Sequence, residues 1–110
     1  YDEASTAFQQ FLQTFPDSEL AGNAQYWLAE SYYVTEKFAE ALAAFTEVTT
    51  GYPRSRKLPD ALLKIGYCNY EMQSWDAARA ALTRAQSEFP ESTAARLASQ
   101  RLERMRDEGV

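Results

Sequence analysis

Histidine is absent from the 110-residue sequence, and Cys68 is its only cysteine. Without histidine the chain lacks the commonest general base and metal ligand, which excludes Ser-His-Asp and Cys-His catalytic arrangements. A single cysteine excludes an internal disulfide and a zinc site built from thiolates, so Cys68 is predicted to be a small buried side chain. We therefore expect no enzyme activity, no catalytic residues, no metal and no cofactor.

Glycine and proline are also scarce, at 4 residues each, which favours helices over strands. The net charge of −5 leaves no basic surplus for a phosphate backbone, so nucleic acid is not an expected partner. The apolar runs are far shorter than the roughly 20 residues that a membrane span requires, so we do not expect a membrane-embedded protein. Because the chain begins with Tyr1, we expect it to be part of a longer polypeptide, and a missing signal peptide is uninformative.

An internal repeat is present. An aromatic-Pro-x-Ser motif begins at Phe15, Tyr52 and Phe89, with a period of 37 residues. The same period relates Ala4, Ala41 and Ala78; Phe8, Phe45 and Leu82; Ala24, Ala61 and Ala98; and Leu28, Ile65 and Leu102. Since one such unit cannot cover its own apolar face, the units are expected to stack.

Each repeat divides into two amphipathic helices. Ser18, Ser55 and Ser92 are predicted N-caps, and Pro59 is expected in the first turn of its helix. Helices are predicted near 2–14, 19–35, 37–50, 58–73, 75–88 and 91–107. The chain is predicted to be a single domain, with the second helix of a truncated repeat at 1–17, repeats at 18–54 and 55–91, and a capping helix at 92–110.

The repeats resemble the tetratricopeptide repeat (TPR) pattern W-x2-L-G-x2-Y, then A-x3-F-x2-A-x4-P. The matching positions are Leu28, Ala29, Tyr32, Phe38, Ala41, Phe45, Val48 and Pro53, then Ile65, Gly66, Trp75, Ala78, Leu82, Ala85 and Pro90. This resemblance implies an all-α, right-handed superhelix of antiparallel helix pairs, with about six helices.

Together with the aromatic-Pro-x-Ser connections, the segments 24–33 and 57–66 resemble the C-terminal TPR domain of the YbgF (CpoB) family of Tol–Pal system proteins. That resemblance implies a periplasmic adaptor that binds TolA and links outer-membrane constriction to peptidoglycan synthesis during cell division, with the peptidoglycan synthase machinery as a further partner. It also implies a trimeric full-length protein with an N-terminal coiled coil absent from this sequence, whereas the domain alone is expected to be monomeric.

In TPR stacks the first helix of each pair lines a concave groove, and two aromatic stripes are predicted there. Tyr26, Glu30 and Tyr33 form one stripe; Leu63, Tyr67 and Tyr70 form the other. Tyr26→Ala or Tyr67→Ala is accordingly expected to weaken partner binding while leaving stability nearly intact. The full predicted groove comprises Asn23, Tyr26, Trp27, Glu30, Tyr33, Asp60, Leu63, Lys64, Tyr67, Tyr70, Arg101 and Arg104.

The charges of the predicted groove indicate which kind of segment would fit it. Trp27 and Glu30 occupy positions where carboxylate-gripping TPR grooves carry basic or amide residues, so such a clamp is not expected. An apolar helix or an extended segment with a few basic residues fits better. Two alternatives stay open: a scaffold of outer-membrane assembly, similar to BamD, and a structural module that self-associates through Phe8, Phe11 and Leu12.

Overall fold

The computed structural model describes residues 2–16 and 20–110. The described residues form α-helices and no strand, which confirms the predicted all-α fold. The helices are α1 (Asp2–Thr14), α2 (Ala21–Val34), α3 (Phe38–Gly51), α4 (Leu58–Glu71), α5 (Trp75–Glu88) and α6 (Thr93–Glu108). None of these helices is long and apolar enough to cross a membrane.

The two helical hairpins, α2–α3 and α4–α5, close with the same turn. Glu36 and Gln73, one repeat apart, both adopt a left-handed conformation with φ of 62°. In each turn the following residue donates its N–H to the carbonyl five residues earlier, over 2.9 Å in the first hairpin and 2.8 Å in the second. The two hairpins therefore share one turn geometry, one repeat apart.

Consecutive helices pack against each other, and α4 also packs against α6. One core lies among α2, α3 and α4 around the fully buried Phe45 and Val48. The other lies among α4, α5 and α6 around Leu62, Leu82 and Met105. Because α4 contributes to both cores, the two repeats share one continuous packed interior.

Gly66 lets α4 approach α5 closely. A Cβ atom at this position would lie 2.6 Å from Cγ of Leu82, well inside van der Waals contact. The glycine in the TPR-like pattern is therefore explained by helix packing, as expected for small residues at a helix crossing.

The predicted serine N-caps have different outcomes. Ser92 caps α6, accepting a bond of 3.0 Å from the N–H of Ala95. Ser55 is not an N-cap, because α4 begins only at Leu58, and its hydroxyl instead accepts from the N–H of Lys57. Ser18 lies outside the described residues.

α4 begins at Leu58, as predicted, and α2 begins at the equivalent position, Ala21, one repeat earlier. A helix starting just after Ser55 would put Pro59 at its fourth position, where the ring clashes with the carbonyl four residues earlier and an intrahelical N–H is lost. Starting at Leu58 places Pro59 in the first turn, as predicted, where no such bond is needed.

Candidate protein-binding face

The first helices of the pairs, α2 and α4, together with α6 contribute to one face of the stack. We call it the first-helix face and define it by residues that contact one another or lie alongside: Trp27, Glu30, Tyr33, Lys64, Tyr67, Tyr70, Arg101 and Arg104. Its characteristic contact is a cation from one helix lying over a tyrosine ring of the same or the preceding first helix.

Between α2 and α4 this contact is made by Lys64. Its Nζ lies 3.3 Å from Oε1 of Glu30, 4.6 Å from the centroid of the Tyr33 ring and 5.9 Å from that of Tyr67. Both side chains of the ion pair are about four-fifths buried, at 19% and 22% exposure. Partial burial strengthens the attraction relative to an exposed pair and fixes the position of the ammonium group.

Between α4 and α6 the same contact is made by Arg101, one repeat after Lys64. Its guanidinium carbon lies 4.2 Å from the Tyr67 centroid and 4.7 Å from that of Tyr70. Arg104 lies 5.5 Å over Tyr70, and its Nε is 3.2 Å from Oε2 of Glu108. The Tyr70 hydroxyl donates to the other oxygen of Glu108, so the contacts form a continuous network at the α6 end.

Ionisation on this face follows from these contacts. Burial, reinforced by the charge of Glu71, raises the pKa of Tyr33 to about 12. The hydrogen bond with Glu108 raises the pKa of Tyr70, and the same bond lowers the pKa of Glu108. Tyr33 and Tyr70 are uncharged at neutral pH, so the cations are attracted by the π-faces of neutral rings.

Two predicted groove residues belong to the core instead. Tyr26 is 6% exposed and packs edge-on against Phe45, with ring centroids 5.4 Å apart. Leu63 is 4% exposed and packs in the core of α4, α5 and α6. The prediction that both are exposed to a partner is wrong, because these sides of α2 and α4 face neighbouring helices.

The other predicted residues remain on or beside the surface. Trp27 is the most exposed of the predicted aromatic residues, at 44%. Asn23 and Asp60 are half-buried, and the charge of Asp60 contributes to a raised pKa of Tyr26, after burial and Glu30. Tyr67 and Tyr70 are half-buried rather than fully exposed, because cations cover their rings.

Sequence reasoning missed two charged residues. Lys57, just before α4, lies over the rings of Trp27 and Tyr26, with its Nζ 4.8 and 5.2 Å from their centroids. Glu108 forms an ion pair with Arg104 and accepts a hydrogen bond from the Tyr70 hydroxyl. The spacing of four residues from Arg104 to Glu108 is typical of an ion pair along a helix and could have identified Glu108. No local sequence pattern predicts the contact between Lys57 and Trp27.

A separate groove lies between α1 and α2. Its larger part has a volume of about 390 Å³ and is lined by Ala7, Phe8, Phe11, Leu20, Asn23, Ala24 and Trp27. Its smaller part, of about 210 Å³, is lined by Ala4, Phe8, Trp27, Glu30, Ser31 and Val34. Most of these side chains are apolar, and Trp27 lies at the boundary between this groove and the first-helix face.

We also looked among the described residues for metal-binding clusters and for a reactive cysteine. Over residues 2–16 and 20–110, no group of three or more His, Cys, Asp or Glu side chains is placed to hold a metal ion. Cys68 is fully buried, as predicted, and burial raises the pKa of its thiol to about 12. It is therefore protonated and shielded at neutral pH, unlike a reactive cysteine.

These features define a helical-repeat protein of stacked antiparallel pairs. Two models described as tetratricopeptide repeat match the chain, over residues 1–56 and 60–92. The first covers half of the sequence, and the chain belongs to the tetratricopeptide repeat family. Members of such repeat families present extended surfaces to protein partners.

Two curated relatives, both called cell division coordinator CpoB and both from Pseudomonas putida, are 60% identical to this chain over 30 residues. That stretch is 27% of this chain and only 11% of each relative, so the chain matches a small part of the relatives' length. The match confirms the resemblance to the CpoB (YbgF) family that the repeat sequences indicated.

Proposed function

We propose that this chain is a non-enzymatic protein-binding adaptor of the cell envelope that acts in cell division. Membership of the tetratricopeptide repeat family supports protein binding, and the similarity to a protein named cell division coordinator supports the process. TolA of the Tol–Pal system is the proposed partner, the periplasm the proposed compartment, and coordination of outer-membrane constriction with peptidoglycan synthesis the proposed role.

The observation that carries this proposal is the network of cations and tyrosines across the first-helix face. Tyrosine, tryptophan and arginine dominate the residues that contribute most to protein interfaces. Here Lys64 and Arg101 are already held by rings on two helices before a partner arrives. Fewer rotamers are then lost on binding, which lowers the entropic cost of forming the interface.

Two atoms of this face define what a partner would supply. Oε2 of Glu30 and Nη1 of Arg101 are buried without a hydrogen-bond partner among the described residues. Because both atoms are buried, a segment reaches them only when the Glu30 or Arg101 side chain turns outward; a donor for the first and a carbonyl oxygen for the second would then remove the cost of these unsatisfied groups. An extended peptide with a basic side chain offers both, and it is one of the two kinds of segment that the sequence predicted, the other being an apolar helix.

Calorimetric titration of the domain with the periplasmic part of TolA tests this proposal. Arg101→Ala should weaken binding by about 1–3 kcal/mol, since it removes the cation that joins α4 and α6. Arg96→Ala is the matched control, because Arg96 is an exposed arginine on the same helix, at a position turned away from Arg101. Thermal unfolding of both variants should be measured alongside.

Equal affinities for the two arginine variants would contradict the use of this face. If TolA fails to bind while components of the outer-membrane assembly complex do, the alternative of an assembly scaffold similar to BamD replaces the proposed role.

A further inference from the structure

Three of the chain's 11 basic residues lie within four consecutive positions, at Arg54, Arg56 and Lys57. They occupy the connection between α3 and α4, where both arginines are exposed and neither forms an ion pair among the described residues. We call Arg54, Arg56 and Lys57 the basic turn. Because the whole chain carries a net charge of −5, this local excess of positive charge contrasts with the rest of the molecule.

The basic turn belongs to one repeat only. The equivalent positions one repeat earlier and one repeat later carry acidic or uncharged residues: Asp17, Glu19 and Leu20, then Glu91, Thr93 and Ala94. Arginine is not needed for the turn itself, because the same hydrogen bond of 3.0 Å, from the serine N–H to the aromatic carbonyl of the motif, closes the turn that contains Arg54 and the one that contains Glu91. The reversal of charge within a preserved turn therefore requires an explanation other than folding.

The backbone of the basic turn is held by its own hydrogen bonds. The N–H of Ser55 donates to the carbonyl of Tyr52 over 3.0 Å, and the N–H of Leu58 donates to the carbonyl of Ser55 over 3.2 Å. These bonds close two consecutive β-turns, and the three cations occupy central positions of those turns. The Ser55 hydroxyl also accepts from the N–H of Lys57, over 3.0 Å.

Two contacts fix the basic turn against α2. A Cβ atom on Gly22 would lie 2.8 Å from Oγ of Ser55, so the connection packs directly on the start of α2. The Nζ atom of Lys57 lies 4.8 Å from the centroid of the Trp27 ring and 5.2 Å from that of Tyr26. The backbone that carries the cations is thus ordered before a ligand binds, and less conformational entropy is lost on binding.

The chemistry of the basic turn indicates the ligand. Guanidinium groups bind carboxylates through paired, charge-assisted hydrogen bonds, so two exposed arginines fit the side chains of an acidic segment. Negative charge flanks the patch on both sides, from Glu47 beside Gly51 and from Asp60 in the first turn of α4. These carboxylates would repel a nucleic-acid backbone or an anionic membrane that extends beyond the patch, whereas a short acidic segment avoids them.

We propose that the basic turn binds an acidic segment of a partner protein, whose carboxylates pair with Arg54 and Arg56 beside Lys57. This surface adjoins the first-helix face where Lys57 contacts Trp27, but neither arginine belongs to the network of cations and tyrosines there. Binding at the basic turn therefore does not depend on whether TolA binds the first-helix face.

The probe that tests this proposal is a dye-labelled peptide of about ten residues that alternates glutamate and serine, long enough to span the patch when extended. Fluorescence anisotropy should show saturable binding to the domain at about 0.05 M salt and weaker binding at about 0.15 M, because salt screens exposed charges. The same peptide with glutamine in place of glutamate should not bind.

Two double variants separate the basic turn from the overall charge. Arg54→Gln combined with Arg56→Gln should lower the affinity for the glutamate peptide at least about tenfold. Arg96→Gln combined with Arg106→Gln makes the same change in net charge on exposed arginines of α6, and it should lower the affinity less than about twofold. Thermal unfolding of the first variant should match the wild type, because Glu91 occupies the place of Arg54 in an equivalent turn.

Three results would overturn the proposal. Equal weakening in the two double variants would mean that the peptide is attracted only by the net charge. No saturable binding at the lower salt concentration would mean that these cations are solvated surface charges. If vesicles with about one-quarter phosphatidylglycerol bind the wild type but not the Arg54→Gln, Arg56→Gln variant, and the peptide does not bind, the turn contacts a membrane surface instead.

Discussion

Tyr26 and Trp27 are adjacent in the sequence, yet they have opposite environments. Tyr26 is buried among α2, α3 and α4, while Trp27 keeps 44% of its surface exposed. A spacing of seven residues, as between Tyr26 and Tyr33, identifies side chains on one side of a helix but does not say whether a neighbouring helix covers them. Periodicity could therefore predict that Tyr26 and Tyr33 share one side of α2. Only the packing of the helices shows that Tyr26 is in the core while Tyr33 is partly exposed.

Tyr26→Ala should consequently destabilise the domain, contrary to the expectation from sequence. Removal of a buried ring of this size costs about 3 kcal/mol or more, because a cavity remains in a packed core. Trp27→Ala is the neighbouring control and should cost about 1 kcal/mol, as is usual for partly exposed positions. Urea unfolding of both variants measures the difference, and equal midpoints would show that Tyr26 is not a core residue.

Buried ionisable groups predict how stability depends on alkaline pH. Burial raises the pKa of the Cys68 thiol from 9.0 to about 12 and that of Tyr33 from 10.0 to about 12, and it also raises the pKa of Tyr26. The folded chain therefore holds these protons more tightly than the unfolded chain does. Below about pH 9 these groups are protonated in both the folded and the unfolded chain, so they do not make stability depend on pH. As the pH rises from there towards 12, the unfolded chain loses these protons first and unfolding becomes progressively easier.

Urea midpoints measured at steps between pH 8 and pH 11 check this dependence, with Tyr26→Phe as the comparison. The variant lacks one of the protons involved, so its midpoint should fall less steeply with pH. A wild-type midpoint that stays constant to pH 11 would rule out the buried, protonated state of these groups.

The helices themselves were largely predictable, because the 37-residue repeat aligns three independent copies of the same pattern. The start of α4 at Leu58 was predicted, but reading Ser55 as its N-cap by analogy with Ser92 was wrong. α2 begins at Ala21, one repeat before Leu58, so the repeat places both first helices three residues after the serine position. The matching left-handed turns at Glu36 and Gln73 carry no glycine signal and could not be read from the residue types.

Packing between helices predicts opposite effects of alanine at two glycines. Gly66→Ala would bring a Cβ to within 2.6 Å of Leu82, and the overpacking should cost about 1–3 kcal/mol despite the better helix propensity. Gly51→Ala is the control: Gly51 is exposed and would contact only the flexible Glu47 side chain, so the change should be neutral or stabilising by up to about 1 kcal/mol. Chemical denaturation measures both, and a stabilised Gly66→Ala protein would refute the close approach of α4 to α5.

At the scale of the whole molecule, the stack is elongated, with dimensions of 45 × 27 × 18 Å, and its two ends differ. The α1–α2 end exposes Leu20, Trp27 and Val34, whereas the exposed side of α6 carries Arg96 and Glu103. A polar outer face is what closes a repeat stack in water. The sequence predicted a capping helix at one end and exposed apolar residues on α1 at the other. The volume and lining of the α1–α2 groove could be seen only in the three-dimensional packing.

The first-helix face could also be predicted only in part. Tyr33, Tyr67, Tyr70, Lys64 and Arg101 were predicted as groove residues from the repeat register and the resemblance to TPR stacks. Their interleaving, with cations over rings, depends on contacts between residues 31 to 34 positions apart in the sequence and was not predictable. The assignment of this face to partner binding remains the central proposal.

Chemical-shift mapping by NMR with the periplasmic part of TolA tests that proposal most directly. If the account holds, the largest changes upon titration will fall on Tyr33, Lys64, Tyr67 and Arg101, with small changes around Ala80 on α5. Changes concentrated on α3 and α5, or no saturable change at all, would contradict it.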